Sequence, residues 1–324
     1  LGTFRAAIRS TLHKPRAVIF PSLALIWPFS ALFPDVKQTS ESLVANLFAR
    51  AQTATRARDF DLAERLLHKI LQHLHMCHSQ GILNATEFAG KRVRVYSELA
   101  SLALMQEKWS QAERLIQDAI RDSHRLLNVS MDDPMMLEFS LKLALIYQRL
   151  GRNEEASHGF VYCLKTLEGK PVPDQSEERA NRTALLGMCH NSYSKFLYET
   201  GSLEAALHHA KSAHQLALQL YPPDHSNCVN LTIDMAVILA GLQRYSEARS
   251  LLEDAATRLR AQNHSLMCHV LLQRLTLELM DGQLASARVF ATQLSDRLAR
   301  GEGDKTIREQ FNRLKKSYNL DNAG

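Results

Sequence analysis

One pattern of small and apolar residues recurs six times along this chain and restricts the folds open to it. An apolar or aromatic residue is followed by Ala three residues later, by an apolar residue four beyond, and by a small or apolar residue three further. Steps of three and four place all four positions on one face of a helix. The instances are Phe60-Ala63-Leu67-Ile70, Trp109-Ala112-Ile116-Ala119, Asn153-Ala156-Phe160-Cys163, Leu203-Ala206-Ala210-Ala213, Tyr245-Ala248-Leu252-Ala255 and Leu284-Ala287-Ala291-Leu294, and only Asn153 departs from the first position.

A second regularity lies twelve residues before each alanine. The residues there are Ala51, Ala100, Ala144, Ser194, Ala236 and Leu275, small in five of the six instances. Two residues before the motif, Gly151, Gly201 and Gly282 occupy the expected turn between two helices, where a left-handed residue commonly ends a helix. Each unit is therefore predicted to be a pair of antiparallel helices. The repeat-packing residues at the crossings are Ala63, Ala112, Ala156, Ala206, Ala248 and Ala287.

The composition agrees with a helical protein. Apolar residues make up 45% of the 324 residues, whereas Gly (13) and Pro (9) are few, which argues against a β-sandwich or barrel. Residues 1–34 hold +4 of the formal charge of +5, so the rest of the chain carries only 5 − 4 = +1. Such a balanced body does not predict nucleic-acid binding. We interpret Lys305, Arg308, Arg313, Lys315 and Lys316 as a solvated helix face.

The repeat has the signature of tetratricopeptide repeats. Successive motif alanines are 39 to 50 residues apart, against about 34 in the minimal repeat. The excess indicates longer helices and loops, marked by Asp132-Asp133-Pro134, Pro222-Pro223-Asp224, Gly301-Glu302-Gly303 and residues 171–173. The predicted fold class is all-α, a tetratricopeptide repeat superhelix of about six helix pairs. The stretch from Pro223 through NCVNLTIDMAVILAGLQRYSEA resembles the long repeats of kinesin light chains.

Three further strings carry a more specific resemblance. LEFSLKLALIY (137–147), GFVYCLKTLE (159–168) and ALLGMC (184–189) resemble the tetratricopeptide repeat protein 19 family of mitochondria. This resemblance implies a protein-binding scaffold at the inner mitochondrial membrane, without turnover of its own. It also implies a role in assembly or maintenance of respiratory complex III and its Rieske iron–sulfur subunit. The alternative is a soluble peptide-binding adaptor of the kinesin light chain type.

Residues 1–36 form a separate segment ahead of a repeat domain at 37–324. Residues 1–16 are basic and free of acids, as in a mitochondrial presequence, and 17–33 form an uncharged apolar run. Pro21 and Pro28 interrupt that run, which is slightly shorter than the ~20 residues of a spanning helix. An inner-membrane anchor, a disordered or surface-packed leader and a secretory signal remain alternatives. If the run spans the membrane, the positive-inside rule places the repeat domain in the intermembrane space.

Few residues are candidates for chemistry. His73, His75, Cys77 and His78 lie close together, but no helix face among them offers more than two metal ligands, so no metal site is predicted. Phosphate loops, nucleophile elbows and kinase signatures are absent from the sequence. We therefore predict no catalytic residue, no cofactor and no small-molecule substrate. An enzyme built on a helical array would need convergent titratable groups. The five cysteines lack close pairs and are predicted to be small buried residues.

What remains is a binding surface. In stacked helix pairs the first helices line a concave groove. Phasing from the repeat predicts that seven residues face this groove and contact a protein partner: Arg94, Glu138, Gln148, Asn191, Lys195, Tyr198 and Asn230. Asn191 and Lys195 are four residues apart and are suited to hold a peptide backbone or a carboxylate. The alternative is a solvated polar face.

Overall fold

A computed structural model describes residues 38–171, 174–259 and 264–319. Within these residues the chain forms thirteen helices and no strand, so the all-α tetratricopeptide repeat fold is confirmed. The helices are α1 Gln38–Arg56, α2 Phe60–Ser79, α3 Ala85–Met105, α4 Trp109–Leu126, α5 Pro134–Arg149, α6 Asn153–Gly169, α7 Ser176–Glu199, α8 Leu203–Leu220, α9 Ser226–Gly241, α10 Tyr245–Arg258, α11 His264–Asp281, α12 Leu284–Ala299 and α13 Lys305–Tyr318.

The repeat motif marks the start of every second helix. The first motif residue is also the first residue of α2, α4, α6, α8, α10 and α12. Even Asn153, which departs from the apolar pattern, begins its helix at the expected position. The motif is thus in phase with the helix boundaries in all six pairs.

The helices of each pair cross at small residues. All six motif alanines are 0% exposed, and none of the residues twelve positions earlier is more than 2% exposed. In the third pair a Cβ built on Gly159 of α6 would lie only 2.8 Å from the Cβ of Ala144 on α5. In the fourth pair the Ser194 hydroxyl donates to the carbonyl oxygen of Ala206 at 2.7 Å. Such close packing explains the small residues at these positions.

The turn inside each pair contains one left-handed residue, two positions before the motif. Gly151, Gly201 and Gly282 have φ of 75°, 88° and 79°, as the sequence predicts. In the other three turns the same position holds Arg58, Glu107 and Gln243, with φ of 60°, 58° and 63°. A side chain makes this conformation costly, by about 1–2 kcal/mol. The turn geometry is therefore common to all six pairs although glycine is not.

The described residues divide into two compact units within α7, the amino-terminal unit ending at Leu185 and the carboxyl-terminal unit beginning at Leu186. In the amino-terminal unit, α1 to α4 enclose a core around Ile70 and Leu99, and a second core surrounds Ile116 and Phe139. In the carboxyl-terminal unit, α11 and α12 share a core with α13 through Ile307 and Phe311. Helix α13 stands outside the six predicted pairs.

The cysteines and the loops between helix pairs lie where the sequence predicts them. The five cysteines are free and buried, as predicted. The loops at 132–133, 222–224 and 301–303 separate helices as expected, whereas only Pro171 of the stretch 171–173 is described. The presequence-like residues 1–16 and the apolar run 17–33 lie outside the described residues. Among the helices that the structure does describe, none is long and apolar enough to cross a membrane.

Candidate partner-binding surface

Three predicted groove residues belong to the amino-terminal unit. Arg94 lies on α3, half-buried, with its Cζ 4.5 Å from the centre of the Phe48 ring on α1. Glu138 lies near the start of α5 and pairs with Lys142 at 2.8 Å. Gln148 is half-buried in the last turn of α5. The first helices of this unit thus carry these three polar groups in quite different surroundings.

Lys142 is a buried cation beside Glu138 and was not among the predicted residues. Its side chain is 4% exposed, and its Nζ donates to Glu138 Oε1 at 2.8 Å and to Ser97 Oγ of α3 at 3.2 Å. The spacing of four residues between Glu138 and Lys142 is typical of a helical ion pair and was the available signal. Because burial makes an unpaired charge costly, Glu138 serves chiefly to neutralise Lys142.

Four predicted residues belong to the carboxyl-terminal unit. Asn191 and Tyr198 are half-buried on α7, and Asn230 is exposed on α9. Lys195 of α7 forms an ion pair with Asp234 of α9 at 3.0 Å, and the two side chains are 27% and 29% exposed. The Tyr198 ring packs near Gly241 of α9, 3.5 Å from where a Cβ on that residue would sit. A solvent-accessible polar surface on α7 and α9 results.

Asp234 belongs to this surface and His269 lies largely buried beside it, and neither was among the predicted residues. Burial lowers the pKa of His269 on α11. The charges of Asp234 and Asp304 raise this pKa, whereas the charge of Lys195 lowers it further. His269 therefore lies within electrostatic range of the Lys195–Asp234 pair. Asp234 follows Asn230 by four residues on α9, a spacing from which the sequence would have placed it on the same face. First helices α7 and α9 therefore carry the accessible polar groups, and α11 lies next to them through His269.

A histidine cluster lies beside this surface in the fourth pair. His190 Nδ1 of α7 and His209 Nδ1 of α8 are 2.8 Å apart and share a hydrogen bond, and the Tyr193 ring centre lies 4.8 Å from that of His209. Burial, followed by the charge of His208, lowers the pKa of His190 to about 4. His190 is thus neutral at physiological pH, which suits packing rather than binding of an anion.

The histidines at the end of α2 lie in separate contacts. His78 stacks on Phe88 with ring centres 4.6 Å apart, His75 meets the edge of the same ring, and His73 Nε2 lies 3.5 Å from Cys77 Sγ. Throughout the described ranges, no group of three or more His, Cys, Asp or Glu side chains is arranged to hold a metal ion. The contacts that these rings make are with aromatic, backbone and thiol groups.

Several proteins with similar sequences carry the name of a mitochondrial protein. The chain is 28% identical over 250 residues to tetratricopeptide repeat protein 19, mitochondrial, from Rattus norvegicus, covering 74% of this chain and 65% of the relative. The corresponding protein of Homo sapiens is 27% identical over 256 residues. The chain therefore spans about two thirds of the length of these relatives, and the resemblance that the three strings predicted is confirmed. No protein-family model matches the chain.

Solved structures support the fold. A signal-transduction ATPase with a tetratricopeptide repeat sensor from Pyrococcus horikoshii aligns with a TM-score of 0.54 and 11% identity, over 88% of this chain and 42% of that protein. BtubC (BKLC) from P. vanneervenii aligns with a TM-score of 0.55 and 14% identity, over 82% of this chain and 92% of that one. At such identities the likeness concerns the helical repeat architecture alone, an architecture that presents surfaces for protein partners.

Proposed function

We propose, from the similarity of this chain to mitochondrial tetratricopeptide repeat protein 19, that it is a non-catalytic scaffold for assembly or maintenance of respiratory complex III. The observation that carries this proposal is the identity of 28% over 250 residues, which extends through most of the repeat array. A repeat-based scaffold for protein interaction is what the sequence relatives and the fold support together. The specific partners, complex III and its Rieske subunit, are inferred from the family resemblance.

The surface on α7 and α9 is the part of the molecule that we propose to contact this partner. Lys195, Asp234 and Asn230 are accessible there. A partly exposed ion pair contributes only about 0–1 kcal/mol to the stability of the fold, so breaking it to bind a charged partner costs little. Asn191 and Tyr198 flank it on α7. In the amino-terminal unit, Arg94, Glu138 and Gln148 remain proposed contacts.

We also propose a location at the inner mitochondrial membrane. The names of the relatives indicate a mitochondrial protein. The division into a leader at 1–36 and a repeat domain at 37–324, with residues 17–33 as anchor and the repeat domain in the intermembrane space, rests on the composition of the leader. Protease treatment of mitoplasts with ruptured outer membranes tests this topology: the repeat domain should be digested, and its protection would contradict the proposal.

Native gel separation of digitonin-solubilised mitochondria tests the function. The protein should migrate together with complex III markers. Lys195→Glu should abolish this co-migration, because it places a carboxylate opposite Asp234 and reverses the charge offered to the partner. Lys211→Glu is the matched control, since it makes the same change at an exposed position of α8, and it should co-migrate normally. Absence from mitochondria, or migration with motor components, would favour the kinesin light chain type of adaptor instead.

A further inference from the structure

Exposed apolar side chains gather at one end of the amino-terminal unit, where the loops between helix pairs lie. Six large apolar residues there are between 39% and 50% exposed. They are Leu43 of α1, Met76 of α2, Ile82 in the α2–α3 loop, Leu126 at the end of α4, Met131 in the α4–α5 loop and Tyr162 of α6. At the opposite end of the unit, where the short turns inside the pairs lie, Leu150 is the one exposed large apolar residue that the structure describes. The apolar surface of this unit is therefore concentrated at one end.

Contacts between helices show that these residues share one end. His78, in the last turn of α2, stacks on Phe88 in the first turn of α3, with ring centres 4.6 Å apart. Arg92, in the second turn of α3, binds Asp122 near the end of α4 at 2.6 Å. The ends of α2 and α4 therefore both lie beside the start of α3. This end, formed by the loops 80–84 and 127–133 and the helix ends beside them, is called the inter-pair edge.

The inter-pair edge continues to α6. The Tyr162 hydroxyl of α6 donates to the carbonyl oxygen of Met131 at 3.0 Å. Lys170, the residue after α6, pairs with Asp132 at 2.8 Å. These contacts hold the α4–α5 loop against the carboxyl-terminal half of α6. The exposed side chains at this edge thus belong to one connected part of the fold.

The first residue of α1 lies at the same edge. Helices α1 and α2 have 19 and 20 residues, which gives lengths of about 28 and 30 Å. The short turn at 57–59 makes them antiparallel, so Gln38 is level with the end of α2. Five peptide steps lead from Phe33, the last residue of the apolar run, to Gln38, and they span at most about 18 Å. If the run is held in the bilayer, Gln38 stays within that distance of it, which raises the effective concentration of lipid at this edge.

We propose that the inter-pair edge of the amino-terminal unit docks on the lipid surface of the membrane, with its exposed Met, Leu, Ile and Tyr side chains between the headgroups and the acyl chains. The inference rests on the proposed membrane location and adds which part of this unit faces the bilayer. Exposed apolar groups that lie together mark contacts with membranes or proteins, and a lipid interface accepts them without a shaped pocket. Arg125, Lys165 and Glu168 are exposed beside them, so charges of both signs border the edge and docking does not require anionic lipid.

Quenching of tryptophan fluorescence, in the full chain reconstituted into vesicles, tests the docking. The vesicles consist of phosphatidylcholine, with or without bromine near the headgroup end of the acyl chains. Trp27 lies in the apolar run, and Trp109 begins α4 at the opposite end of the unit. In a Trp27→Phe background, Ile82→Trp should lose several times as much emission to brominated lipid as the matched control Leu150→Trp, because the new ring reaches the acyl chains at position 82 alone. Equal quenching of the two variants would overturn the proposal.

Further readings separate this proposal from the anchor and from other occupants of the edge. Met131→Trp in the second loop should be quenched like Ile82→Trp, and all three variants should keep the parent Tm because the positions are exposed. In the unaltered chain, quenching of Trp27 reports the anchor. Quenched Trp27 with unquenched Ile82→Trp would refute the docking alone, and the reverse would refute the anchor alone. Emission of Ile82→Trp at shorter wavelength without quenching would assign the edge to a protein surface, such as a second copy, and would overturn lipid docking.

Discussion

Lys142 on a first helix of the amino-terminal unit is buried, whereas Lys195 on a first helix of the carboxyl-terminal unit is accessible to solvent. Lys142 is 4% exposed and bonds to Glu138 and Ser97, while Lys195 is 27% exposed and pairs with Asp234. Both residues lie near the small residue of the helix crossing. One repeat pattern thus supports either a structural charge or a solvent-accessible one, and the pattern alone does not say which.

Loss of the buried charge is expected to have the largest effect. Lys142→Ala leaves Glu138 charged and poorly solvated, so the free energy of unfolding should fall by about 3–5 kcal/mol. Lys195→Ala should cost at most about 1 kcal/mol, because its pair is partly hydrated. Urea unfolding followed by circular dichroism measures both. The double variant Glu138→Gln/Lys142→Met should recover much of the loss, and equal losses for the two lysine variants would erase the distinction between the units.

A larger side chain at a helix crossing should lower the free energy of unfolding by a similar amount in both units. Ala112→Leu and Ala248→Leu each insert a larger side chain where the residue is 0% exposed, so each should cost about 1–3 kcal/mol. Urea unfolding provides the measurement, and Ala45→Leu on the exposed part of α1 is a matched control that should change little. A cost confined to one unit would show that the crossings differ despite the shared motif.

Acid should weaken the carboxyl-terminal unit through His190. Its pKa falls from 6.5 to about 4 in the folded protein, so the unfolded state binds the proton first as the pH drops below 6.5. The stabilisation is therefore complete above pH 6.5 and is lost as the pH falls towards 4, by about 1 kcal/mol between pH 6.5 and 5 after allowance for screening. His190→Gln should flatten the Tm profile in this window, whereas His68→Gln, on an exposed part of α2, should not.

Substitutions in the turns should change the free energy of unfolding least, and in opposite directions at Gln243 and Gly201. Gln243→Gly relieves a left-handed side chain at φ 63° and should stabilise the fold by about 0.5–1 kcal/mol, the gain being reduced by the greater freedom of glycine in the unfolded chain. Gly201→Ala, at φ 88°, should destabilise it by a similar amount. Thermal unfolding measures both. A destabilising Gln243→Gly would mean that the glutamine side chain makes a contact that outweighs its backbone strain.

The sequence alone predicted the helix pairs because the signals are local. Steps of three and four residues from Phe60 to Leu294 define the packing face, and the six motif starts coincide with helix starts. The prediction found only three of the left-handed turns, since it relied on glycine and missed Arg58, Glu107 and Gln243. Those residues adopt the conformation because the two flanking helices, packed at their small residues, require it.

The partners of the polar groups were decided by tertiary structure. Periodicity selected Arg94, Glu138 and Lys195 as residues of the groove-facing side of their helices. It gave no sign that Arg94 stacks on an aromatic ring, that Glu138 neutralises a buried lysine or that Lys195 pairs across helices. The contacts of Lys142 with Ser97, and of Lys195 with Asp234, join residues of different repeats. Because burial and charge at each position depend on side chains about one repeat away, the sequence fixes the helices while the stacking of the repeats determines what their charges do.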